Sequence, residues 1–202
     1  MPDTLEVIAH VVQPVNWIQI VISIFSVVTS IVAIVIAIIT YKSQVRHNKN
    51  SVKPILNIIV GDYEDRLYVK IVNNGVGPAL IEETLCVNEK SKAKDACLIH
   101  LIPYQVEFSE NSHTELVTLS PLTDFVEDIK GRTVAPGGSI TLLKLSSVLS
   151  SMTKKRFALR TILKDVTVTI HYSDVYGDAY VTERTLDFFG RTLSNDDVQV
   201  IF

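Results

Sequence analysis

An uncharged apolar segment near the N-terminus limits what this chain can fold into. Residues 19–40 read QIVISIFSVVTSIVAIVIAIIT, and no Asp, Glu, Lys or Arg occurs between His10 and Tyr41. About 20 consecutive apolar residues are enough to cross a bilayer as a helix. The segment is too long for the apolar core of a cleaved signal peptide, and no Lys or Arg precedes it. The sequence therefore predicts a retained transmembrane helix over residues 16–44.

The charged residues on the two sides of this segment predict its orientation. Asp3 and Glu6 are the only charged residues before it, whereas basic residues cluster directly after it. Positive charge stays on the cytoplasmic side of a membrane helix. We therefore expect an external or interfacial segment over 1–15, a linker over 45–53 and a cytoplasmic domain over 54–202. The basic residues expected at the inner membrane surface are Lys42, Arg46, Lys49 and Lys53.

Small and polar residues recur within the apolar segment at a regular interval. Their spacing alternates between three and four residues, and between Gln19 and Thr40 only Thr29 departs from the pattern. This heptad repeat favours a left-handed bundle of helices. Because polar side chains in a membrane span face a partner helix or water, the repeat predicts a homo-oligomer. We call these residues the stripe: Asn16, Gln19, Ser23, Ser26, Ser30, Ala33, Ala37, Thr40 and Gln44.

The stripe has two interpretations. Small residues let helix backbones approach closely, so it can be a packing seam. Around a bundle axis the same hydroxyl and amide groups would instead line a narrow pore. In that case Ala33 and Ala37 would form an apolar ring inside a polar path, which is what a dewetting gate requires. No charged residue belongs to the stripe, so such a pore would select weakly among ions.

The residues after Pro54 predict a mainly-β cytosolic domain. Alternating and short apolar runs are bounded by turn residues, with no alternation of strands and helices. This pattern indicates an antiparallel, immunoglobulin-like β-sandwich with one or two short helices. A helix is expected over 120–131, where Ser120 can cap the start and Gly131 the end. Strands are expected over 55–60, 66–73, 79–88 and 135–145, with a hairpin over 164–186.

The composition excludes several classes of function. The net charge of −3 is the sum of −2 over residues 1–41, +4 over 42–53 and −5 over 54–202, so 54–202 is acidic and does not favour non-specific nucleic-acid binding. Cys86 and Cys97 are expected to be free thiols, and neither has a partner at zinc-finger spacing. We find no catalytic pattern either. The sequence predicts a protein that is not an enzyme and that holds no metal or cofactor.

One basic segment is a candidate ligand site. Within MTKKRFALRTILK, residues 152–164, three of the five cations are spaced by four residues, so a helix would align them on one edge. Such an edge can bind phosphates. It can equally be a solvated face or a contact with anionic headgroups. The five residues are Lys154, Lys155, Arg156, Arg160 and Lys164.

The motifs NNGVGPA (73–79), APGGSITL (135–142) and HYSDVYGDAY (171–180) resemble those of bacterial membrane proteins with one N-terminal span and a cytosolic immunoglobulin-like sandwich. Within this group the chain most resembles the membrane channel effectors of Hailong anti-phage systems. The resemblance implies a homotetrameric channel in the bacterial inner membrane. It also implies a single-stranded deoxyadenylate oligomer, made by a partner nucleotidyltransferase, that holds the channel shut until infection. No ligand-binding residue follows from the resemblance.

Two functions therefore remain open. In the first, the chain forms a ligand-gated pore, and the linker transmits the change of state to the helix. In the second, the stripe only holds copies together, and the sandwich recruits a cytosolic partner.

Overall fold

The protein divides into two compact units, Met1–Asn48 and Lys49–Phe202. The computed structural model describes residues 16–110, 113–119, 124–146, 152–191 and 198–201. The segment 1–15 that is predicted to be interfacial lies outside the described residues.

A single helix, α1, spans Trp17–Ser51 and contains 35 residues. Asn16 caps its start, because the side-chain Oδ1 accepts a hydrogen bond from the Ile18 amide at 3.1 Å. The helix is long and apolar enough to cross a membrane, and no residue in it is buried within the chain. It continues through most of the predicted linker, since the first proline after it is Pro54. The last three helical residues belong to the second unit.

The second unit is mainly β, as the sequence predicts, and all of its described strand pairs are antiparallel. The predicted strands at 55–60, 66–73, 79–88 and 135–145 and the predicted hairpin are confirmed with small shifts at their ends. The strands are β1 Leu56–Tyr63, β2 Arg66–Asn73, β3 Ala79–Asn88, β4 Lys94–Asp95, β5 Gln105–Glu110, β6 His113–Thr118, β7 Asp124–Phe125, β8 Thr133–Val134, β9 Ser139–Ser146, β10 Val166–Ser173, β11 Ala179–Thr185 and β12 Val198–Ile201.

The strands form three sheets. The first sheet has the order β1-β2-β9-β7, and the second has the order β11-β10-β3-β4 with β8 also paired to β3. The third sheet has the order β12-β5-β6. The main core contains buried residues of both the first and the second sheet, such as Val69 and Ile71 from β2 and Val168 and Ile170 from β10. This shared core follows from the alternation of apolar residues along each strand.

A second helix, α2, spans Met152–Leu163. The sequence analysis considered a helix here only as the condition that would align the cations, and the structure confirms that the segment is helical. Ala158 and Ile162 lie one turn apart and join the smaller core cluster with Val106 and Val117 of the third sheet. Packing against the third sheet thus stabilises α2, whose polar face carries most of the basic residues of segment 152–164.

The helix predicted over 120–131 is wrong in its described part. Residues 124–131 contain β7 and a turn, and Phe125 pairs with Leu143 on β9. Ile129 is buried in the main core. The start of this segment pairs with β9, and the Gly131 amide donates to the Ile81 carbonyl of β3, so tertiary contacts override the local helix signals.

Candidate functional site

The stripe lies along α1. Asn16 caps the helix, and the other residues of the stripe are helical and exposed. A heptad repeat drifts by about 20° per seven residues on a straight helix, so the stripe winds slowly around α1. Residues arranged in this way meet a neighbouring helix over their full length only if the two helices supercoil.

Hydroxyl groups in the N-terminal half of α1 are hydrogen-bonded within the helix. Ser26 Oγ donates to the Ile22 carbonyl at 2.9 Å, and Ser30 Oγ donates to the Ser26 carbonyl at 2.8 Å. Thr29, which lies off the stripe, donates to the Phe25 carbonyl at 2.8 Å. These bonds satisfy each donor hydrogen without a second chain, while the oxygen atoms remain able to accept a hydrogen bond.

A buried asparagine organises the loop that holds the segment after α1. Asn73 Oδ1 accepts hydrogen bonds from the amides of Ile55 at 3.2 Å and Gly75 at 2.9 Å. Its Nδ2 donates to the carbonyls of Gly77 at 2.7 Å and Val134 at 3.0 Å. Asn73 is fully buried, and these four bonds use its polar atoms. The 73–77 loop therefore holds the start of β1 in a fixed position.

The glycines of this loop allow the two backbones to touch. A Cβ atom on Gly77 would overlap the carbonyl oxygen of Val52, and one on Gly75 would overlap the backbone at Lys53–Ile55. The Asn74 amide also donates to the Ile55 carbonyl at 2.8 Å. The motif NNGVGPA is thus more than a turn, because its glycines permit close contact with the residues that follow α1.

The loop between β10 and β11 is built around a second polar residue. Asp174 Oδ1 accepts from the amides of Tyr176 at 2.8 Å and Asp178 at 3.0 Å, and Oδ2 accepts from the Tyr180 hydroxyl at 3.3 Å. Burial alone would raise the pKa of Asp174, but these donors together lower it below its ordinary value. Asp174 is therefore held as a carboxylate inside a closed turn.

Two of the four basic residues predicted to lie at the membrane surface contact this loop. Lys49 Nζ lies 2.9 Å from a carboxylate oxygen of Asp178, and this hydrogen bond raises the pKa of Lys49. The same nitrogen lies 5.5 Å from the ring centroid of Tyr176. Lys53 Nζ lies 4.9 Å from the ring centroid of Tyr180. Segment 49–55 is thus held by both loops, and we call this arrangement the joint.

Lys42 and Arg46, the other two basic residues predicted for the membrane surface, are exposed on the part of α1 that belongs to the first unit.

The basic segment predicted to bind phosphate is largely engaged within the domain. Arg156 donates to Asp62 at 2.9 and 2.6 Å and to the Glu64 carbonyl at 3.0 Å. Arg160 lies 3.3 Å from the second carboxylate oxygen of Asp62 and donates to the Phe189 carbonyl at 3.2 Å. Both guanidinium groups are mostly buried. Arg156 and Arg160 therefore attach α2 to the first sheet.

The lysines of the same segment differ from the arginines. Lys154 pairs with Glu115 of β6. Lys155 and Lys164 are half-exposed and form no ion pair within the part of the chain that the structure describes. The five cations predicted as one site are thus not presented together to a ligand.

A different cationic surface lies on the first sheet. Arg66, Tyr68 and Lys70 alternate along β2 with buried residues, and Lys144 of β9 is the register partner of Tyr68. Tyr68 lies over Gly61 and near the stacked ring of Tyr63, at 6.2 Å between centroids. We call this surface the basic face, and it contains a cavity of about 270 Å³. The cavity is lined by Arg66, Tyr68, Lys70, Ser139, Thr141 and Lys144.

Part of the basic face is visible in the sequence. Alternation in RLYVKIVN places Arg66, Tyr68 and Lys70 on the side opposite Leu67 and Val69. The contribution of β9 depends on strand order, which the sequence pattern does not give.

Three potential metal ligands lie together beside β4, although the sequence predicted none. Atoms of Asp95, Cys97 and His100 all lie within 4.8 Å of one another, and His100 Nδ1 is 2.9 Å from Asp95 Oδ1. The Cys97 amide donates to the same Asp95 oxygen at 2.8 Å, and this bond and His100 lower the pKa of Asp95. The available signal was the mixed spacing Asp-x-Cys-x-x-His, which a search for paired cysteines overlooks.

Residues 17–190 match the model of a family described as a domain of unknown function, DUF8453. The chain belongs to the DUF8453 family. That description names no activity, ligand or partner. A comparison with curated proteins gives no match. A structure of the archaeal flagellum of Methanospirillum hungatei strain JF1 matches at 14% identity, covering 91% of this chain and 96% of that chain, but its TM-score of 0.23 supports no conclusion about fold or function.

Proposed function

We propose that the protein forms a homo-oligomeric pore in the bacterial inner membrane, with its N-terminus outside and its β unit in the cytoplasm. The stripe carries this proposal, because it runs at a heptad interval through an uninterrupted apolar helix with no buried residue. A second copy of the chain is the partner that this repeat fits. Around a bundle of about four helices, Ser and Gln side chains would line the path and Ala33 and Ala37 would narrow it.

A non-conducting assembly is the second candidate function, and one observation favours it. The hydroxyls of Ser26 and Ser30 already donate to carbonyls of their own helix, so they do not require water or a polar partner. A stripe of this kind serves equally well as a close packing seam. The β unit would then recruit a cytosolic partner to the membrane.

The β unit supports a regulatory role because it carries a cationic surface. Arg66, Lys70 and Lys144 surround Tyr68 on the basic face, which suits a ligand with phosphates and aromatic bases. The resemblance noted above implies a single-stranded deoxyadenylate oligomer made by a partner nucleotidyltransferase. We propose the basic face as its site in preference to α2, where Arg156 and Arg160 are engaged with Asp62.

We also propose that the first and second sheets pack as an immunoglobulin-like sandwich. The support is the main core, which contains side chains from both sheets. In such a domain, ligand binding on the outer side of β2 can shift the β1–β2 pair. β1 begins at Leu56, next to the joint, so a shift there has a short route to α1. Gating requires that the ligand bind the open and closed states with different affinity.

The test is ion flux through vesicles that contain the purified full-length protein. Ala33→Ser with Ala37→Ser should increase flux, because both changes make the narrow ring more polar. Ile34→Ser with Ile38→Ser is the matched control, since it adds two hydroxyls at the same spacing off the stripe. The control should leave flux unchanged. Equal increases in both double variants would contradict a pore lined by the stripe.

Cysteine cross-linking separates the two candidate functions. Ser26→Cys on the stripe should cross-link between copies in the membrane, whereas Val27→Cys should not. Cross-linking at position 26 without flux in any variant or ligand condition would favour the non-conducting assembly. Absence of cross-linking at position 26 would contradict both functions, because both require the stripe to face another copy.

A ligand experiment tests the regulatory part separately. Addition of a single-stranded deoxyadenylate oligomer should reduce flux in wild-type vesicles. Lys70→Glu with Lys144→Glu should abolish this response, while Lys155→Glu with Lys164→Glu, an equal charge change on and beside α2, should preserve it. The reverse pattern would place the ligand on α2. In infected cells, loss of this ligand would open the pore and depolarise the membrane.

A further inference from the structure

The segment after β3 brings three different metal-donor groups together. Asp95 ends β4 and is the register partner of Cys86 on β3, which fixes its position in the second sheet. Cys97 precedes the short 3-10 helix Leu98–Leu101, and His100 lies within that helix. The carboxylate, thiol and imidazole atoms all lie within 4.8 Å of one another. A six-residue segment thus presents oxygen, sulfur and nitrogen donors to one point.

The distances suit a small divalent ion. Zn²⁺ binds sulfur at about 2.3 Å and nitrogen or oxygen at about 2.0–2.2 Å, so tetrahedral ligands are separated by roughly 3.3–3.6 Å. Ligand atoms within 4.8 Å can reach this spacing by small side-chain movements. The mixture of thiol, imidazole and carboxylate favours zinc-class transition metals over Mg²⁺ or Ca²⁺, which prefer oxygen ligands alone.

The local charge also favours a cation. The carboxylates of Asp95, Asp128 and Glu127 lie close enough to the Cys97 thiol to act on it electrostatically. A bound divalent ion would offset this negative charge and would stabilise the thiolate.

An open cavity lies beside His100. It has a volume of about 460 Å³, and His100 lines it together with Leu101, Pro103 and Asp165. Three protein ligands and one free position are typical of zinc sites that bind water or a small ligand. The side chains of His100 and Asp95 are partly exposed, so such a position can reach solvent.

We propose that Asp95, Cys97 and His100 bind one zinc-class divalent metal ion, with a fourth position open to water. This site is separate from the stripe, the joint and the basic face. It does not depend on whether the protein conducts ions.

The test uses the full-length protein in detergent, with any affinity tag removed because tags also bind metal. After equilibration with Zn²⁺ and dialysis, we expect about one metal ion per chain. The Co²⁺-substituted protein should show the thiolate-to-cobalt charge-transfer absorption that only a cysteine ligand produces. Because this measurement uses the wild-type protein, its result does not depend on whether a variant folds. A wild-type protein without the charge-transfer absorption would overturn the proposal.

Variants locate the site within the chain. Cys97→Ser should remove the charge-transfer absorption, and His100→Ala should weaken metal affinity by more than about tenfold, the smallest loss expected even for an outer-shell partner. His171→Ala is the matched control, since His171 lies on β10. It should leave the affinity unchanged. An equal loss in the His171 variant would overturn the assignment, as would rapid alkylation of Cys97 that depends on His100 in metal-free protein.

Discussion

Replacement of Asn73 by alanine tests whether the 73–77 loop stabilises the β unit and the segment that leaves α1. The change removes four hydrogen bonds from a fully buried side chain. Each such bond contributes about 1 kcal/mol net, so the expected loss in the free energy of unfolding is about 4 kcal/mol. For a domain of this size, 1 kcal/mol shifts Tm by roughly 2–4 °C, which gives a decrease of roughly 8–16 °C.

The assay is thermal unfolding of the full-length protein in mild detergent, followed by circular dichroism of the β signal. Asn74→Ala is the matched control, because the adjacent Asn74 side chain is exposed, and it should change the free energy of unfolding by less than about 0.5 kcal/mol. Asn73→Asp keeps both acceptor contacts but turns a buried carboxylate oxygen toward the carbonyls of Gly77 and Val134, so it should not recover the stability lost in Asn73→Ala. A Tm for Asn73→Ala within about 2 °C of wild type would refute the reasoning, because four buried contacts would then contribute almost nothing.

Three further predictions concern the contacts around the two loops and α2. Gly77→Ala should destabilise the β unit by more than Gly131→Ala in the same thermal assay. A Cβ on Gly77 overlaps a backbone oxygen, whereas a Cβ on Gly131 meets no atom, so only the positive φ of 75° disfavours alanine at Gly131. Asp62→Asn should lower the free energy of unfolding by about 2 kcal/mol and Asp65→Asn by less than about 1, since only Asp62 holds two largely buried arginines; equal effects would show that the α2 attachment contributes little. The pKa of Asp174 is lowered, despite burial, from an ordinary value of 3.8, so its stabilising effect is complete above that value and is lost as the pH falls through the lowered pKa. Asp174→Asn should therefore unfold with a weaker pH dependence below about pH 4 than wild type, and an unchanged acid profile would contradict this.

The sequence predicts best the elements whose patterns are local. Alternation over 66–73 places Leu67, Val69 and Ile71 in the core, as observed. The apolar run predicts α1, and the structure extends the helix to Ser51 because nothing before Pro54 interrupts it. The helix prediction fails over 124–131 because the structure there depends on pairing with β9, a strand that follows it in the chain. Local capping signals contain no information about such a partner.

The candidate sites divide in the same way. The stripe is a property of one helix and is fully visible in the sequence. The basic segment of α2 is visible in the sequence as a run of cations at helical spacing, but the contact of Arg156 with Asp62 is not, because Asp62 lies far away in the sequence and becomes adjacent only in the fold. The basic face requires the neighbouring positions of β2 and β9, which only the sheet order reveals. The joint was predicted only as a linker, although its glycines were visible as a turn.

The internal hydrogen bonds of Ser26, Thr29 and Ser30 have a consequence for how the chain is made. A helix with unpaired hydroxyls would enter the bilayer at a cost that only assembly could recover. Here each hydroxyl donor is satisfied by a carbonyl one turn earlier. If the chain forms the proposed pore, a newly synthesised copy would therefore be able to insert into the membrane as a monomer. Assembly would then be a later step that depends on how many copies the membrane contains, so the amount of protein made would set the onset of the proposed activity.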